Sequence, residues 1–457
     1  MGSSGSSGLS GSSTGASTDE TGGSSTGDAT TSTTAGPGSG SSGADMTTGP
    51  GEGDSEAAVL VAGEEHNCVI TKGGDLLCWG DSTFGQLGSA NSNNIGDNPG
   101  EMPPPKALLG GAAVAQVAPA RIHTCALFVG GGVRCWGHPS EGALGFYFKD
   151  EDGLWAEIGD EEEDMPPPEV DLGGLPAVSI AAGDSHSCAA LAGGTVTCWG
   201  DNTNGQLGRG DTASICDDPG EKPLAGVDLG GVIVQLAASG STTCALLEGG
   251  AVKCWGANES GQLGRGDTES IGDEPGEMPP ADVDLGGAAV QISVGRSQAS
   301  THVCALMANG AVRCWGAGEY GRLGYGDQAN IGDEPGEMPP ADVDLGGAAV
   351  QISAGGLHTC ALMASGAVRC WGAAIWGQIG YGSDEDLGDE PGEMPPPDVD
   401  LGGPAVQVAA GRVHTCFLLE DGGVKCVGFA AEGQLGQGDL TPLGDNPWEM
   451  PPPYVPL

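Results

Sequence analysis

The fold follows from one repeated stretch, Ala348-Ala-Val-Gln-Ile-Ser-Ala-Gly-Gly-Leu-His-Thr-Cys-Ala-Leu362. Ser365-Gly-Ala-Val-Arg-Cys-Trp-Gly372 and Gly377-Gln-Ile-Gly380 follow it, and an acidic, proline-rich connector then leads to Asp398-Val-Asp-Leu-Gly-Gly403. The first cysteine of this unit recurs at positions 68, 125, 188, 244, 304, 360 and 416. The chain therefore contains seven tandem units with a basic period of 56 residues, which is the signature of a repeat architecture.

Each unit contains four short segments with the composition of β-strands: Val-Gln-Ile, His-Thr-Cys-Ala-Leu, Ala-Val-Arg-Cys-Trp and Asp-Val-Asp-Leu. Glycine and proline separate these segments, and no helical periodicity competes with them. Four strands in each of seven units predict an all-β fold, a seven-bladed β-propeller of four-stranded antiparallel blades, over residues 56–457. Because residues 57–62 and 454–457 both have strand composition, we expect the last blade to combine strands from both ends of the chain.

Composition divides the sequence into two parts. Residues 1–55 are mostly Gly, Ser, Thr and Asp, so they are predicted to form a disordered tether in front of the propeller. The 457-residue chain has a net charge of −47, which argues against direct binding to nucleic acid or to an anionic membrane surface. It contains no apolar run long enough to span a bilayer, and its first residues lack the pattern of a signal peptide.

Fourteen of the fifteen cysteines form pairs that are ten residues apart. If each pair lies directly across a hairpin, a three-residue loop joins the two strands, and its last position favours glycine. That position is glycine in every unit: Gly74, Gly131, Gly194, Gly250, Gly310, Gly366 and Gly422. Directly opposed residues have Cα atoms about 4.5 Å apart, within reach of a disulfide.

The register therefore predicts one disulfide in each blade. The expected pairs are Cys68–Cys78, Cys125–Cys135, Cys188–Cys198, Cys244–Cys254, Cys304–Cys314, Cys360–Cys370 and Cys416–Cys426. Disulfides in every blade imply an oxidising, extracytoplasmic compartment, although buried paired thiols are an alternative. A zinc site does not fit, because the pairs recur once per blade without Cys-x-x-Cys spacing.

The sequence shows no sign of catalysis. The remaining cysteine, Cys216, takes the place of a connector glycine and is interpreted as a loop residue rather than a nucleophile. Neither a Gly-x-Ser-x-Gly motif, nor a phosphate-binding loop, nor a His-Glu-x-x-His motif occurs in the chain. We therefore expect a non-enzymatic protein without a catalytic residue or a required cofactor.

The repeated pattern resembles a known family. Ala-Gly-x-x-His-x-Cys-Ala-Leu, Gly-x-Val-x-Cys-Trp-Gly and Gly-Gln-Leu-Gly, over about residues 57–457, are similar to the regulator-of-chromosome-condensation repeat. The superfamily also contains β-lactamase inhibitor protein II, and the resemblance implies a seven-bladed propeller. The cysteine-paired units resemble secreted or surface proteins of predatory and social bacteria, and the leader resembles that of their lipoproteins.

The resemblance also frames the expected function, although a fold does not fix a function. Eukaryotic relatives catalyse nucleotide exchange on a small GTPase, and the bacterial inhibitor binds its target with loops on one propeller face. This chain differs from the exchange factors in its strong acidity, its cysteine pairs and the lack of a basic tail. We expect an extracytoplasmic or cell-surface scaffold, monomeric, that binds a protein or glycan. Exchange activity is an alternative.

Six histidines occupy one position, two residues before the first cysteine of a unit. They are His66, His123, His186, His302, His358 and His414, and Thr242 replaces the histidine of the fourth unit. In the family fold this position lies near one rim of the central channel, so the imidazoles are candidates for a polar ring that binds a metal or an anionic group. A seven-fold ring is too wide for metal coordination, and hydrogen bonding to the neighbouring blade's backbone is the favoured interpretation.

The connectors contain recurrent pairs of carboxylates that raise the possibility of a calcium site. The candidate ligands are Asp273, Glu277, Asp333, Glu337, Asp389 and Glu393. The spacing of known calcium loops is absent, so the alternative is a turn set by proline and glycine with solvated acids. A calcium-binding scaffold is kept as the second functional hypothesis.

Two more positions are interpreted as structural. Five units place a basic residue before the second cysteine, for which we expect pairing with connector carboxylates: Arg134, Lys253, Arg313, Arg369 and Lys425. Six units place a tryptophan after that cysteine, for which we expect packing between blades: Trp79, Trp136, Trp199, Trp255, Trp315 and Trp371.

Candidate partner-binding residues lie where the units differ from one another. Two variable insertions, from Phe146 to Trp155 and from Arg296 to Thr301, are the expected specificity elements, and aromatic residues before the Gly-x-x-Gly turns are expected anchors. The candidates are Phe84, Phe146, Tyr147, Phe148, Trp155, Arg296, Tyr320 and Trp376.

Overall fold

Seven antiparallel sheets form the protein in a computed structural model that describes residues 56–148, 156–223, 226–297 and 300–457. These residues contain no α-helix, and their only helical segments are four short 3₁₀ turns: Ser140–Gly142, Glu162–Asp164, Glu319–Gly321 and Pro447–Glu449. The all-β class and the seven-bladed propeller predicted from the repeats are confirmed. The predictions for residues 1–55 and for Trp155 lie outside the described residues, so the proposed domain boundaries stay a prediction.

Three strands recur in every blade. The innermost strands are β1 (Ala57–Ala62), β4 (Val114–Pro119), β7 (Ala177–Ala182), β11 (Ile233–Ser239), β14 (Ala289–Val294), β17 (Ala349–Ala354) and β20 (Ala405–Ala410). The second strands are β2 (His66–Thr71), β5 (His123–Phe128), β8 (His186–Leu191), β12 (Thr242–Leu247), β15 (His302–Met307), β18 (His358–Met363) and β21 (His414–Leu419). The third strands are β3 (Leu76–Gly80), β6 (Val133–Gly137), β9 (Thr195–Gly200), β13 (Val252–Gly256), β16 (Val312–Gly316), β19 (Val368–Gly372) and β22 (Val424–Gly428).

The fourth, outermost strand is much shorter than predicted. It is a two-residue strand in blades 3 and 7, where β10 (Val227–Asp228) and β23 (Tyr454–Val455) pair with the third strand. Other blades have a single contact at this place, such as the hydrogen bond that Val343 N donates to the Val312 carbonyl. The proline-rich connector reaches the blade edge just before this point, and proline cannot donate to a strand ladder.

The core lies between neighbouring blades. Every residue of the seven second strands is buried, because each blade packs against a neighbour on both faces. All six tryptophans at the end of the third strands are almost completely buried, and Val427 takes their place in blade 7. Continuous burial explains why these strands lack the alternating pattern of a sheet with one solvated face.

The hairpin register predicted from the cysteines is confirmed. In each blade the two cysteines are directly opposed and joined by a disulfide, with Cα atoms 4.0–4.1 Å apart. The loop glycine has positive φ in all seven blades, for example +84° at Gly310, which is the conformation that disfavours any side chain.

The prediction that the last blade combines strands from both ends of the chain is wrong. The sheet of blade 7 consists of β20, β21, β22 and β23, and β1 belongs to the sheet of blade 1 with β2 and β3. The ring closes instead through contacts between whole blades, such as the hydrogen bond from Leu60 N to Gln407 Oε1. Residues 57–62 are the innermost strand of their own unit, so they do not complete the sheet of blade 7.

Candidate partner-binding face

Two loops of each blade emerge on the same face of the ring, which we call the lip face. One is the turn between the innermost and second strands, and the other is the connector that follows the third strand. The turns surround the end of a central channel of about 330 Å³ that is lined by the innermost strands. Main-chain hydrogen bonds join turns of neighbouring blades, as from Arg412 N to the Glu64 carbonyl (3.1 Å) and from Arg296 N to the Gly355 carbonyl (3.0 Å).

A cluster of charged side chains lies in the turns around the channel end at the lip face. Arg296 lines the channel and donates from Nη1 to the Pro119 carbonyl, so blade 5 reaches across to blade 2. Glu64 is only 3% exposed and lies near Arg121, with 4.0 Å between Oε2 and Nε. Burial, followed by the nearby Asp184 carboxylate, raises the pKa of Glu64 to about 9, and burial lowers the pKa of Arg296 to about 10.

Arg296 is the only residue of this cluster among the candidates predicted from the sequence. The missed residues are Glu64, Glu65, Arg121, Asp184 and Arg412, and Arg412 Nη1 pairs with Glu65 at 3.2 Å. They occupy the two positions before the histidine of their units, where no single residue type recurs through all the units, so these positions give no repeated signal. They could have been found from their distance to the histidine, because each lies one or two residues before it.

The histidines do not form a ligand ring. Each Nε2 lies 2.7–2.9 Å from a side-chain oxygen of the next blade, and all six imidazoles are buried. The sequence predicts that each histidine bonds to the backbone of the neighbouring blade. The neighbouring blade is correct, but the predicted backbone partner is wrong, because each Nε2 bonds to a side-chain oxygen. In blade 1, Thr124 Oγ1 donates to the Gln86 carbonyl, so the hydroxyl accepts from His66 Nε2. Burial lowers the pKa of His66 to about 4, which favours the neutral imidazole near pH 7.

The tryptophans complete the same junction. Trp136 Nε1 donates to the Gln86 carbonyl (2.9 Å), which therefore accepts two hydrogen bonds from blade 2. Equivalent indole bonds reach the corresponding carbonyl from the other five tryptophans. Packing of the tryptophans between blades, as expected from the sequence, thus comes with a specific hydrogen bond.

The junction between blades 4 and 5 lacks the histidine contact. Thr242 replaces the histidine, and Val303 replaces the hydroxyl residue that would receive it. Thr242 Oγ1 donates instead to the Ala257 carbonyl of its own blade. A cavity of about 80 Å³, lined in part by Thr242, Gln262 and Thr301, lies at this junction. The histidine and the side-chain acceptor of the next blade are therefore both absent at this one junction.

Aromatic side chains form an arc on the lip face. Tyr320 of blade 5 is 43% exposed and Trp376 of blade 6 is 39% exposed. The Trp376 ring packs against Phe429 of blade 7 with ring centroids 4.9 Å apart. Phe84 of blade 1 is half-buried against His138 of blade 2, also at 4.9 Å. Sequence reasoning missed Phe429 and His138, which sit in another loop position.

The insertion of blade 5 lies next to this arc. Arg322 is fully buried and donates from Nη1 to the Ser300 and Gly356 carbonyls, so it ties the insertion to blades 5 and 6. Its guanidinium lies 5.9 Å from the centroid of the Tyr320 ring. The structure thus brings together two of the expected specificity elements, the insertion at residues 296–301 and the aromatic residue before the Gly-x-x-Gly turn.

The other insertion is separate. Phe146, Tyr147 and Phe148 follow the Gly-x-x-Gly turn of blade 2, three blades away from Tyr320 along the ring. Phe148 is exposed, whereas Phe146 is half-buried and packs against the core. Phe146 is therefore a packing residue in part, and Phe148 is the better-placed anchor of this insertion.

The connector acids organise the main chain. Glu277 Oε2 accepts from Gly272 N (2.8 Å) and Glu274 N (2.9 Å), and Glu337 and Glu393 make the same contacts in blades 5 and 6. Within the described residues no group of three or more His, Cys, Asp or Glu side chains has the arrangement of a metal site. The geometry supports the turn interpretation of Asp273, Asp333, Asp389 and their glutamate partners over calcium binding.

The basic residues before the second cysteine hold the outer edge of the blades. Arg313 pairs with Asp342 (2.6 Å), Arg369 with Asp398 (2.7 Å) and Lys253 with Asp282 (2.8 Å). Arg134 donates to the Leu109 carbonyl, and Lys425 donates to the Leu401 carbonyl. The expected pairing with connector carboxylates is therefore present for Arg313, Arg369 and Lys253, in blades 5, 6 and 4.

Comparison with known proteins places the chain in a family. The family model of the RCC1-like domain matches residues 152–453, and that of the regulator of chromosome condensation (RCC1) repeat matches residues 60–86. The ultraviolet-B receptor UVR8 of Arabidopsis thaliana is 31% identical over 385 residues, which are 83% of this chain and 79% of the receptor. The E3 ubiquitin-protein ligase HERC2 of Homo sapiens is 31% identical over 272 residues, 58% of this chain but only 5% of that ligase.

Solved structures agree with the fold. Yeast RCC1 (Prp20), in its crystal structure with Kap60, superposes with a TM-score of 0.63 and 21% identity, over 88% of this chain and 86% of that chain. Human WBSCR16 gives a TM-score of 0.60 and 20% identity, over 83% of this chain and 93% of that chain. At this identity the two structures bear on the fold alone. A search of the described residues found no helix that could cross a membrane.

Proposed function

Because the chain belongs to the RCC1-like family, we propose that it is a non-enzymatic scaffold that binds a protein partner through its lip face. One observation carries the proposal: the exposed rings of Tyr320 and Trp376 lie on adjacent blades beside the blade-5 insertion. Large aromatic side chains are typical binding anchors when they are accessible on an otherwise polar surface. The partner's identity is not implied by the relatives, because a propeller supports many functions.

The electrostatics of the face favour a basic partner. The connectors begin on this face and supply most of the carboxylates of a chain with 62 acidic and 15 basic residues, although some of these carboxylates lie at the outer edge of the blades. Complementary charge around an aromatic centre speeds association and disfavours wrong partners. A glycan is the alternative ligand of the same aromatic arc. Binding of a glycan would depend on the aromatic rings and would not require positive charge on the ligand.

We further propose that the protein works outside the cytoplasm. The support is the disulfide in each of the seven blades, because such bonds persist in oxidising compartments. A cytoplasmic nucleotide-exchange factor, the alternative suggested by the family, would keep these thiols reduced. Alkylation of protein taken from its native host, followed by intact-mass measurement with and without reduction, distinguishes the two.

Site-specific photo-crosslinking tests the lip face. A photoreactive amino acid replaces Trp376 in one variant and Val350 in a control variant, since Val350 is 54% exposed at the opposite end of its innermost strand. We expect a discrete crosslinked protein from the Trp376 position that is lost when Tyr320→Ala is added. Equal crosslinking from both positions, or crosslinking from Val350 alone, would contradict the proposal.

A further inference from the structure

Blades 5 and 6 each insert a tyrosine between their third and outermost strands. The Tyr325 hydroxyl accepts from Cys314 N (3.1 Å) and lies within hydrogen-bond distance of the Cys314 and Ala341 carbonyls. Tyr381 makes the same three contacts, with Cys370 N, the Cys370 carbonyl and the Pro397 carbonyl. A phenol is therefore the group that fills this slot twice in the same chain.

Blade 4 has the slot without the phenol. Arg265 stands where blades 5 and 6 have tyrosine, and its side chain turns outward to Asp267, with 3.3 Å between Nε and Oδ2. A cavity of about 370 Å³ results, and it reaches Cys254, Ala281 and Val283. These are the counterparts of the blade-5 residues that surround the Tyr325 ring and hydroxyl.

In blade 5, the tyrosine side chain fills the inner part of the slot, next to the third strand. The cavity beside Tyr325 has about 310 Å³, but its lining consists of the tyrosine itself and of surface residues such as Asp342, Asp344 and Met394. Cys314, Ala341 and Val343 are not among the residues that line it. Of these two cavities, the one in blade 4 extends to the disulfide-bonded strand and the one in blade 5 does not.

We propose that the blade-4 slot binds a tyrosine side chain of a partner protein. The slot has an apolar wall from Leu263, Val283 and Met338 and a polar end at the Cys254 main chain. An apolar wall with a few placed polar groups is the general form of a selective pocket. The phenol ring would pack on the wall, and its hydroxyl would meet the backbone groups that Tyr325 meets in blade 5.

Two features narrow the ligand further. The leader of this chain cannot supply it, because residues 1–55 contain no phenylalanine, tyrosine or tryptophan. A phosphotyrosine does not fit the proposal, because the hydroxyl position lies at the closed end of the slot beside the main chain. The ligand class is thus an unmodified tyrosyl group on another polypeptide.

N-acetyl-tyrosinamide is the probe for this site. Met338 lines the slot, so the ¹³C-methyl signal of Met338 in methionine-labelled protein reports binding directly. We expect a saturable shift of this signal with a dissociation constant in the millimolar range. N-acetyl-phenylalaninamide should bind roughly tenfold more weakly, because it leaves the backbone groups without a partner. The phosphorylated probe should not shift the signal.

Variants of the chain decide between this site and unspecific binding. Arg265→Tyr should fill the slot from within, as in blades 5 and 6, and abolish the shift, whereas Arg265→Ala should keep it. Tyr325→Ala should open a second site, detected at the methyl group of Met394. The absence of a shift in the parent protein, or an equal shift in Arg265→Tyr, would overturn the proposal.

The outcome is independent of the lip-face proposal. If Arg265→Tyr abolishes probe binding while crosslinking from Trp376 persists, the two contacts are separate sites. If probe binding fails and crosslinking persists, only the slot proposal falls. A second copy of the chain is an alternative source of the tyrosine through exposed Tyr320, and a concentration-dependent dimer that disappears in Tyr320→Phe would overturn the assignment to a different partner.

Discussion

His66 Nε2 of blade 1 lies 2.8 Å from Thr124 Oγ1 of blade 2, and the contact recurs in equivalent form at five further blade junctions. Each donor belongs to one repeat and each acceptor to the next. The same hydroxyl is fixed by its own bond to a carbonyl of the preceding blade, as between Thr124 and Gln86. The junctions of the ring are therefore specified by polar contacts as well as by apolar packing.

These histidines should make stability depend on pH. Burial lowers the pKa of His358 and His414 to about 3 and that of His66 to about 4. The unfolded chain binds protons at an ordinary histidine pKa of about 6.5, so the stabilisation is complete above that pH and is lost as the pH falls from there toward the folded pKa values of about 3 to 4. Chemical denaturation at several pH values should show stability falling steeply over this range.

A single substitution isolates one histidine's share of that effect. His358→Gln should reduce the slope of stability against pH between about pH 4 and 6.5 by up to 1.4 kcal/mol per pH unit. Thr242→Gln is the matched control, since this position holds no histidine in the parent. An unchanged slope in His358→Gln would contradict a neutral, buried imidazole.

The blade 4–5 junction should accept the missing pair. Thr242→His alone places an imidazole opposite Val303 without an acceptor, so we expect it to destabilise the protein. Adding Val303→Thr supplies the acceptor, and the cavity of about 80 Å³ offers room for the ring. A double-mutant cycle should show a favourable coupling of about 1 kcal/mol. Strict additivity of the two changes would argue against the junction geometry.

The cysteines should become reactive in two steps, first one thiol and then the other fourteen. Burial raises the pKa of Cys216 to about 12, so the folded, unreduced protein should not react with iodoacetamide at pH 8. Unfolding without reduction should expose this one thiol, and unfolding with reduction should expose all fifteen cysteines. Intact-mass measurement counts the adducts, and more than one adduct before reduction would mean that a blade lacks its disulfide.

Removing one disulfide should weaken but not unfold the protein. The pair Cys360–Cys370 closes a short loop, so replacing both by alanine should cost about 2 kcal/mol in the free energy of unfolding. Replacing only Cys360 should cost at least as much and leave Cys370 as a free thiol, which is alkylated after unfolding without any reduction. A loss far above this value would indicate that the bond does more than restrict the unfolded chain.

Arg322 should control the order of the blade-5 insertion. Arg322→Gln introduces the residue that blades 1, 3, 4, 6 and 7 have at this position, and it removes the bonds to the Ser300 and Gly356 carbonyls. We expect faster amide hydrogen exchange around Thr301 with little change in the second strand of the same blade. Gln378→Ala, at the equivalent place in blade 6, should leave exchange in the insertion unchanged.

The hairpins were predictable because their information is local. A constant offset between Cys68 and Cys78 fixes the register, and the glycine at position 74 fixes the loop, so two observations within one unit suffice. The contact from His66 to Thr124 spans two units. One sequence signal for this contact exists: the histidine and its acceptor are replaced at the same junction, by Thr242 and Val303.

The candidate site was harder to predict for two physical reasons. Glu64 and Asp184 lie in turns whose residues differ from unit to unit, so no periodic pattern marks them. Trp376 was identified by its loop position, but its contact with Phe429 depends on how neighbouring blades are rotated about the ring. The empty slot beside Arg265 depends on the side chain turning outward to Asp267, a choice that residue type alone does not determine.

Every sheet described here draws its strands from one consecutive stretch of the chain, and blade 7 follows this rule like the others. A blade is thus a complete cassette, bounded by a connector on each side and clipped by its own disulfide. Exchange of one cassette for another would transplant a loop, an aromatic anchor and a slot residue in a single step. The architecture lends itself to recombination of binding surfaces by whole-unit shuffling, without leaving a half-built sheet behind.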